Sequence, residues 1–241
     1  MKLIPFITAG YPSLEGFLPT LRELDANGAD VIEVGIPFSD PVADGPVIEA
    51  ASIVARQNGA SLRRILDLLE ELGRTRAKLV LMGYMNPFLQ YGFEALAERC
   101  KRLGIYGLII PDLPLDEDAP YREILARAGI HLIALVAPNT PVERMRQYAK
   151  VATGYVYVVS SMGVTGVRKE MPPDLAETMR RARSVFSLPL ALGFGLSTPE
   201  QLKDIPSDCL PDAVIFGSAL VKHLGEGGSA AAFMQRWASV K

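Results

Sequence analysis

The sequence predicts an α/β protein built as a single (β/α)8 TIM barrel over residues 1–241. Two observations predict it. Eight short apolar runs alternate with amphipathic stretches from end to end, and 241 residues divided by eight gives roughly 30 per unit, the size of a strand with its crossover helix. The runs are also continuously apolar, as strands covered on both faces must be. Eight such units in one domain favour a closed barrel, with a doubly wound open sheet as the competing architecture.

The strand candidates, in order, are Leu3–Ala9, Val31–Gly35, Lys78–Gly83, Tyr106–Ile110, Leu132–Ala137, Tyr155–Val159, Leu188–Leu192 and Ala213–Phe216. Helical periodicity lies between them, for example over Leu62–Leu72, Phe93–Leu103 and Tyr121–Ala128. Helix-to-strand turns follow a plain formula, "ANGAD", "RLGIYG" and "RAGIHL", with glycine just past the helix where a left-handed residue is needed. Strand-to-helix loops are richer: "TAGYP", "GIPFSDPVADGP", "GYMNPF", "PDLP", "APNTP", "SSMGVTG", "GFGLSTP" and "GSAL". In a barrel all of these gather at one mouth, where active sites sit.

Composition narrows the function. The chain is 49% hydrophobic and 22% charged, which is a globular balance, and its net charge of −2 supplies no basic face for nucleic acid. No apolar run reaches membrane-spanning length, and "MKLIPF" is interrupted too soon for a signal peptide. Cys100 and Cys209 have no metal spacing, so a cytoplasmic, reduced protein is expected. Two histidines leave little material for a metal site, and none is expected.

Glycines cluster at three late strand ends: Gly163 and Gly166 after the sixth run, Gly193 and Gly195 after the seventh, and Gly217 with Ser218 after the eighth. Glycine lets backbone N–H groups approach an anion, and "GSALVKHL" reads as a short helix whose N-terminus adds its dipole. This is where barrels build phosphate sites. The competing reading is ordinary turn glycines. Arg168 and Lys169 lie nearby, but a backbone site does not require them.

The second run, "VIEVG", carries Glu33 inside an otherwise apolar strand, and the loop behind it carries Asp40 and Asp44. Glu33 fits either a structural ion pair or a catalytic carboxyl; Asp44 a turn or a catalytic role; Asp40 a turn or a cap. A phosphate site across the same mouth favours catalysis, because a carboxyl withdrawn from water gains a raised pKa and can both give and take a proton near neutrality. No lysine ends a strand where a Schiff-base amine would sit, and His131 begins the fifth run at the opposite end of the barrel. A metal- or amine-dependent aldolase is therefore disfavoured. The phosphorylated substrate must supply its own electron sink.

Taken together, "PFITAGYP", "DVIEVGIPFSDPVADGPVI", "LMGYMNPFLQYG", "GLIIPDLP", "YVYVVSSMGVTG", "GFGLSTPEQ" and "FGSALVK" resemble the tryptophan synthase α chain family, in order and across nearly the whole chain. The resemblance implies a barrel that cleaves indole-3-glycerol phosphate to indole and glyceraldehyde 3-phosphate. It implies no cofactor in this chain, and a β chain partner carrying pyridoxal phosphate in an α2β2 complex. Glu33 and Asp44 match the family's catalytic carboxylates, and Tyr157 matches a tyrosine beside that glutamate. Gly166, Phe194, Gly195, Gly217 and Ser218 match phosphate-holding positions. Phe6, Leu81 and Ile109 match the indole pocket, although pattern alone makes each barrel core. Pro37, Asp40, Pro41 and Asn86 match positions facing the β chain.

Three departures stand out. Ser161 replaces an arginine frequent in the family's lid loop, so lid closure is expected to be tuned differently, and "GYP" replaces a frequent "GDP". Met1 leads almost directly into the first strand, so the barrel floor is expected to be more exposed or covered by the C-terminal helix "AAAFMQRWASV". A stand-alone lyase that releases free indole is the alternative function. A binding barrel that has lost catalysis conflicts with an intact Glu33 and Asp44. Other phosphate-binding barrels of amino-acid biosynthesis are the fallback.

Overall fold

A computed structural model describes residues 1–159, 174–193 and 195–240. Among these residues nine parallel strands run β1 (Lys2–Thr8), β2 (Val31–Gly35), β3 (Lys78–Met82), β4 (Gly107–Ile109), β5 (His131–Leu132), β6 (Ala134–Val136), β7 (Val156–Val159), β8 (Leu190–Gly193) and β9 (Ala213–Phe216). Their order in the sheet is β5-β4-β3-β2-β1-β9-β8-β7-β6. The two ends of that order are halves of one strand. β5 pairs with β4 and β6 with β7, and between them Ile133 still donates its N–H to Leu108 at 2.9 Å. The eight expected strands are thus present, the fifth split, and the sheet closes as a TIM barrel, which rules out the open sheet.

Helices α1 (Leu14–Ala26), α2 (Pro46–Gln57), α3 (Leu62–Leu72), α4 (Met85–Tyr91), α5 (Phe93–Leu103), α6 (Ala119–Ala128), α7 (Val142–Ala149), α8 (Leu175–Val185), α9 (Ser218–Gly225) and α10 (Ala230–Gln235) cover the outside. Gly104 and Gly129 end α5 and α6 in the left-handed region, with φ of 69° and 74°, as the turn formula requires. "GYMNPF" departs from its reading as a loop: Met85 already begins α4, whose first N–H is taken by the Asp112 carboxylate at 2.9 Å.

Alternation along each strand divides the core in two. Ile4, Val80, Ile109, Ile133, Tyr155 and Ile215 point inward and pack together. Leu3, Ile32, Leu81, Leu108, Val156 and Val214 point outward and pack with helix residues such as Phe17, Leu21, Ile65 and Leu96. At the floor, acidic side chains hold strand starts: Asp30 accepts from the Leu3 N–H at 2.9 Å and Asp212 from the Leu190 N–H at 2.8 Å.

The C-terminal helix does not cover the floor. α10 packs against α1 and α9 in the outer layer, and Trp237 stacks on outward-facing Phe216 with ring centroids 4.6 Å apart. The floor itself keeps Lys2 and Lys78 exposed, with the Lys78 ammonium 3.9 Å from the Tyr106 ring centre. Among the described residues no helix is long and apolar enough to cross a membrane.

Gly193 belongs to the packing of the barrel as well as to the glycine pattern. A Cβ there would fall 2.4 Å from the Tyr157 ring. Gly193→Ala is therefore expected to push Tyr157 out of its inward position and cost about 1–3 kcal/mol. Urea unfolding of variant and wild type measures this, and an unchanged midpoint would show that the ring has room to move.

Candidate active site

The inner face of β2 points Val31, Glu33 and Gly35 into the barrel. Glu33 pairs in register with Phe6 on β1 and Val80 on β3, and it has no exposed surface. Its Oε1 accepts a hydrogen bond from the Tyr155 hydroxyl at 2.7 Å, while Oε2 has no hydrogen-bond partner among the described residues. Burial pushes the carboxyl up to about 8, and the Tyr155 bond offsets part of that rise. A structural ion pair is therefore not its role: among the described residues no cation bridges to Glu33, and the group is largely protonated at neutral pH.

Asp44 lies on the loop between β2 and α2. Burial raises its pKa to about 6, the Tyr84 hydroxyl bond opposes the rise, and the nearby Glu49 charge adds to it. Tyr84 also accepts the Ala43 N–H at 3.0 Å and stacks on Phe38 with centroids 5.3 Å apart. One tyrosine from the β3 end thus braces the Asp44 loop at two points. Asp44, Phe6, Thr8, Met82, Tyr84 and Pro111 are among the residues lining one small cavity at the mouth.

Across the mouth, Gly217 is the N-cap of α9 and Ser218 its buried first residue. The first intrahelical bond runs from the Val221 N–H to the Gly217 carbonyl. The earlier N–H groups of α9 are the ones such a terminus leaves for an anion. Gly195 adopts φ 65°, a left-handed turn. Gly166, Phe194 and Ser161 lie outside the described residues, as do Arg168 and Lys169.

Several sequence expectations need correction. Leu81 is not a pocket residue: it faces the helices, and its neighbour Met82 takes the cavity position, because a one-residue offset along a strand reverses the face. Phe6 and Ile109 do point inward. Tyr157 also points inward, close enough that the charges of Glu33 and Asp44 oppose ionisation of its hydroxyl, but the hydrogen bond to Glu33 is made by Tyr155. Of the positions matched to a β chain interface, Pro37 is largely buried within this chain, Asp40 and Asn86 are exposed and Pro41 is half-buried. Tyr84 and Tyr155 were missed. Tyr155 was legible as the other inward residue of "YVYVV", two before Tyr157; nothing local to "GYMNPF" pointed Tyr84 at Asp44.

Residues 1–239 match the family model of the tryptophan synthase alpha chain. This chain belongs to the tryptophan synthase alpha chain family. It is 60% identical over 236 residues to the tryptophan synthase alpha chain of Desulfovibrio desulfuricans, covering 98% of this chain and 92% of that one. The Nitratidesulfovibrio vulgaris alpha chain is 60% identical over 237 residues, covering 98% and 91%. Among solved structures, the A-subunit from the hyperthermophile Pyrococcus furiosus superposes with a TM-score of 0.88 at 36% identity, covering 98% of this chain and 95% of that one. The Mycobacterium tuberculosis tryptophan synthase gives 0.87 at 33%, covering 98% and 89%.

The raised Glu33 pKa carries a stability consequence for this family member. Below about 4.5 the carboxyl is neutral in folded and unfolded chains alike, so its burial costs least there. Between 4.5 and about 8 the unfolded chain releases the proton and the folded chain keeps it, so stability falls as pH rises through that window. Glu33→Gln removes this loss. Its thermal midpoint is expected to exceed that of wild type by an amount that grows from pH 5 to pH 8.5. A constant gap would mean that Glu33 titrates normally.

Proposed function

We propose that Glu33 and Asp44 are the acid/base pair with which this chain cleaves indole-3-glycerol phosphate to indole and glyceraldehyde 3-phosphate. The buried carboxyl of Glu33, one oxygen of which has no partner among the described residues, carries the reading. Protonated at neutral pH, Glu33 delivers its proton to C3 of the indole ring, giving an indolenine cation. The Glu33 carboxylate so formed takes the proton of the adjacent side-chain hydroxyl. The carbon–carbon bond then breaks, its electron pair restores the aromatic ring, and the hydroxyl carbon becomes the aldehyde. Asp44 accepts the ring N–H and balances the cationic charge. The α9 N-terminus, with Gly217, Ser218 and Gly195, holds the phosphate; Phe6, Ile109 and Met82 line the ring.

The chain works in tryptophan biosynthesis, in the cytoplasm, as the α subunit of an α2β2 complex whose β chain carries the pyridoxal phosphate. Exposed Asp40, Val42, Asn86 and Leu89 lie on the β2 loop and α4, the segments that carry and brace Asp44. Val42 is 79% and Leu89 48% exposed, so both offer apolar surface to a partner at the mouth. The relatives described above are all synthase chains, which favours the complex over a stand-alone lyase.

Glu33→Gln is expected to lower indole release by at least about 10²–10⁴-fold while a phosphate-bearing inhibitor still binds. Asp44→Asn keeps a hydrogen-bond acceptor but not the charge, and should also lose most turnover. Retention of a tenth of the rate by Glu33→Gln would remove it as the proton-transfer group.

A β chain is expected to accelerate wild type by seating the Asp44 loop. Asp40→Ala should weaken that acceleration more than the basal rate. Indole release measured at zero and saturating β chain tests this, and a wild type already fast alone and indifferent to the β chain would favour the stand-alone lyase.

A further inference from the structure

We propose that Thr8 is a further substrate-contacting residue, whose hydroxyl hydrogen-bonds a hydroxyl on the substrate chain between the ring and the phosphate. The proposal rests on the cleavage reading above and deepens it.

Thr8 is 3% exposed, and its Oγ1 has no hydrogen-bond partner among the described residues. Comparable buried hydroxyls are engaged. Ser52 accepts the Phe38 N–H at 3.2 Å, and Thr178 donates to the Asp174 carbonyl at 2.8 Å. A buried hydroxyl left alone keeps the full penalty of leaving water. Packing alone would be served as well by valine, which has the same branched shape and no such penalty. The hydroxyl therefore points to a partner that arrives with the substrate.

Register and topology identify that partner. Thr8 sits on the inner face of β1 and pairs with Gly35, one layer nearer the mouth than the Phe6–Glu33 pair. It lines the same cavity as Asp44, Phe6 and Met82. In the sheet, β1 lies between β9 and β2. β9 leads into the α9 N-terminus, and β2 leads to Glu33 and Asp44. A substrate with its phosphate on α9 and its ring nitrogen at Asp44 must cross the end of β1. The part that crosses is the three-carbon chain, whose hydroxyls are its hydrogen-bonding groups. Gly35 opposite adds no side chain beside Thr8, and the Phe6 ring packs over it, since a Cβ there would meet that ring at 2.4 Å.

The test compares wild type, Thr8→Val and Thr8→Ser as full chains with saturating β chain. The readouts are cleavage of indole-3-glycerol phosphate and binding of 3-(indol-3-yl)propyl phosphate, which lacks both chain hydroxyls. Thr8→Val is expected to lower kcat/KM by about 3- to 10-fold, the effect of one net hydrogen bond. Thr8→Ser should recover most of that loss. Binding of the propyl phosphate should be the same for wild type and Thr8→Val, and a thermal midpoint no lower than wild type shows that Thr8→Val folds. A Thr8→Val enzyme as efficient as wild type, or an equal loss of propyl phosphate binding, overturns the proposal. A wild type that neither cleaves the substrate nor binds the propyl phosphate overturns the cleavage reading instead.

Discussion

A carboxyl group held inside a closed apolar barrel stays neutral unless a cation or several donors meet it, and among the described residues Glu33 meets a single tyrosine hydroxyl. Most of the site follows from that constraint. Desolvation sets the proton affinity of Glu33 near neutrality, and Tyr155 fixes one of its oxygens, while the other has no partner among the described residues. The strand beneath is apolar for the same reason: Val31 below Glu33 and Val80 beside it keep water out.

Barrel closure makes this desolvation possible. The wall is continuous because residues 131–136 serve two neighbours in turn, first β4 and then β7, with Ile133 at the handover. Inside the barrel, Glu33 is surrounded by inward side chains of the neighbouring strands, Phe6 and Val80 among them. Closure also brings β9 beside β1, so the α9 N-terminus stands across one strand end from the acidic pair.

The second carboxylate is held by a different device. Asp44 is on a loop, and its position depends on Tyr84, which is itself fixed by stacking on Phe38 and by the Asp112 cap on the next residue's N–H. Three strand ends, of β2, β3 and β4, therefore share the placing of one carboxyl. The exposed apolar side chains of Val42 and Leu89 lie on two of these segments.

The strands, the helices over Leu62–Leu72 and Phe93–Leu103, and the short helix after Gly217 were legible in the sequence, because burial on both faces and helical period leave local marks. So was the oddity of one carboxylate in the "VIEVG" strand. What the sequence by itself determined was the order of strands and helices and the end of the barrel at which the loops carrying Asp40 and Asp44 gather. Tertiary structure decided facing and partnership. Continuous apolar strands conceal which alternate residue points inward, so Met82 rather than Leu81 reaches the cavity. Tyr84 and Tyr155 act on carboxylates 40 and 122 positions away, Asp44 and Glu33. Only the closed sheet makes them neighbours, since a hydrogen bond depends on distance in space and leaves no period along the chain.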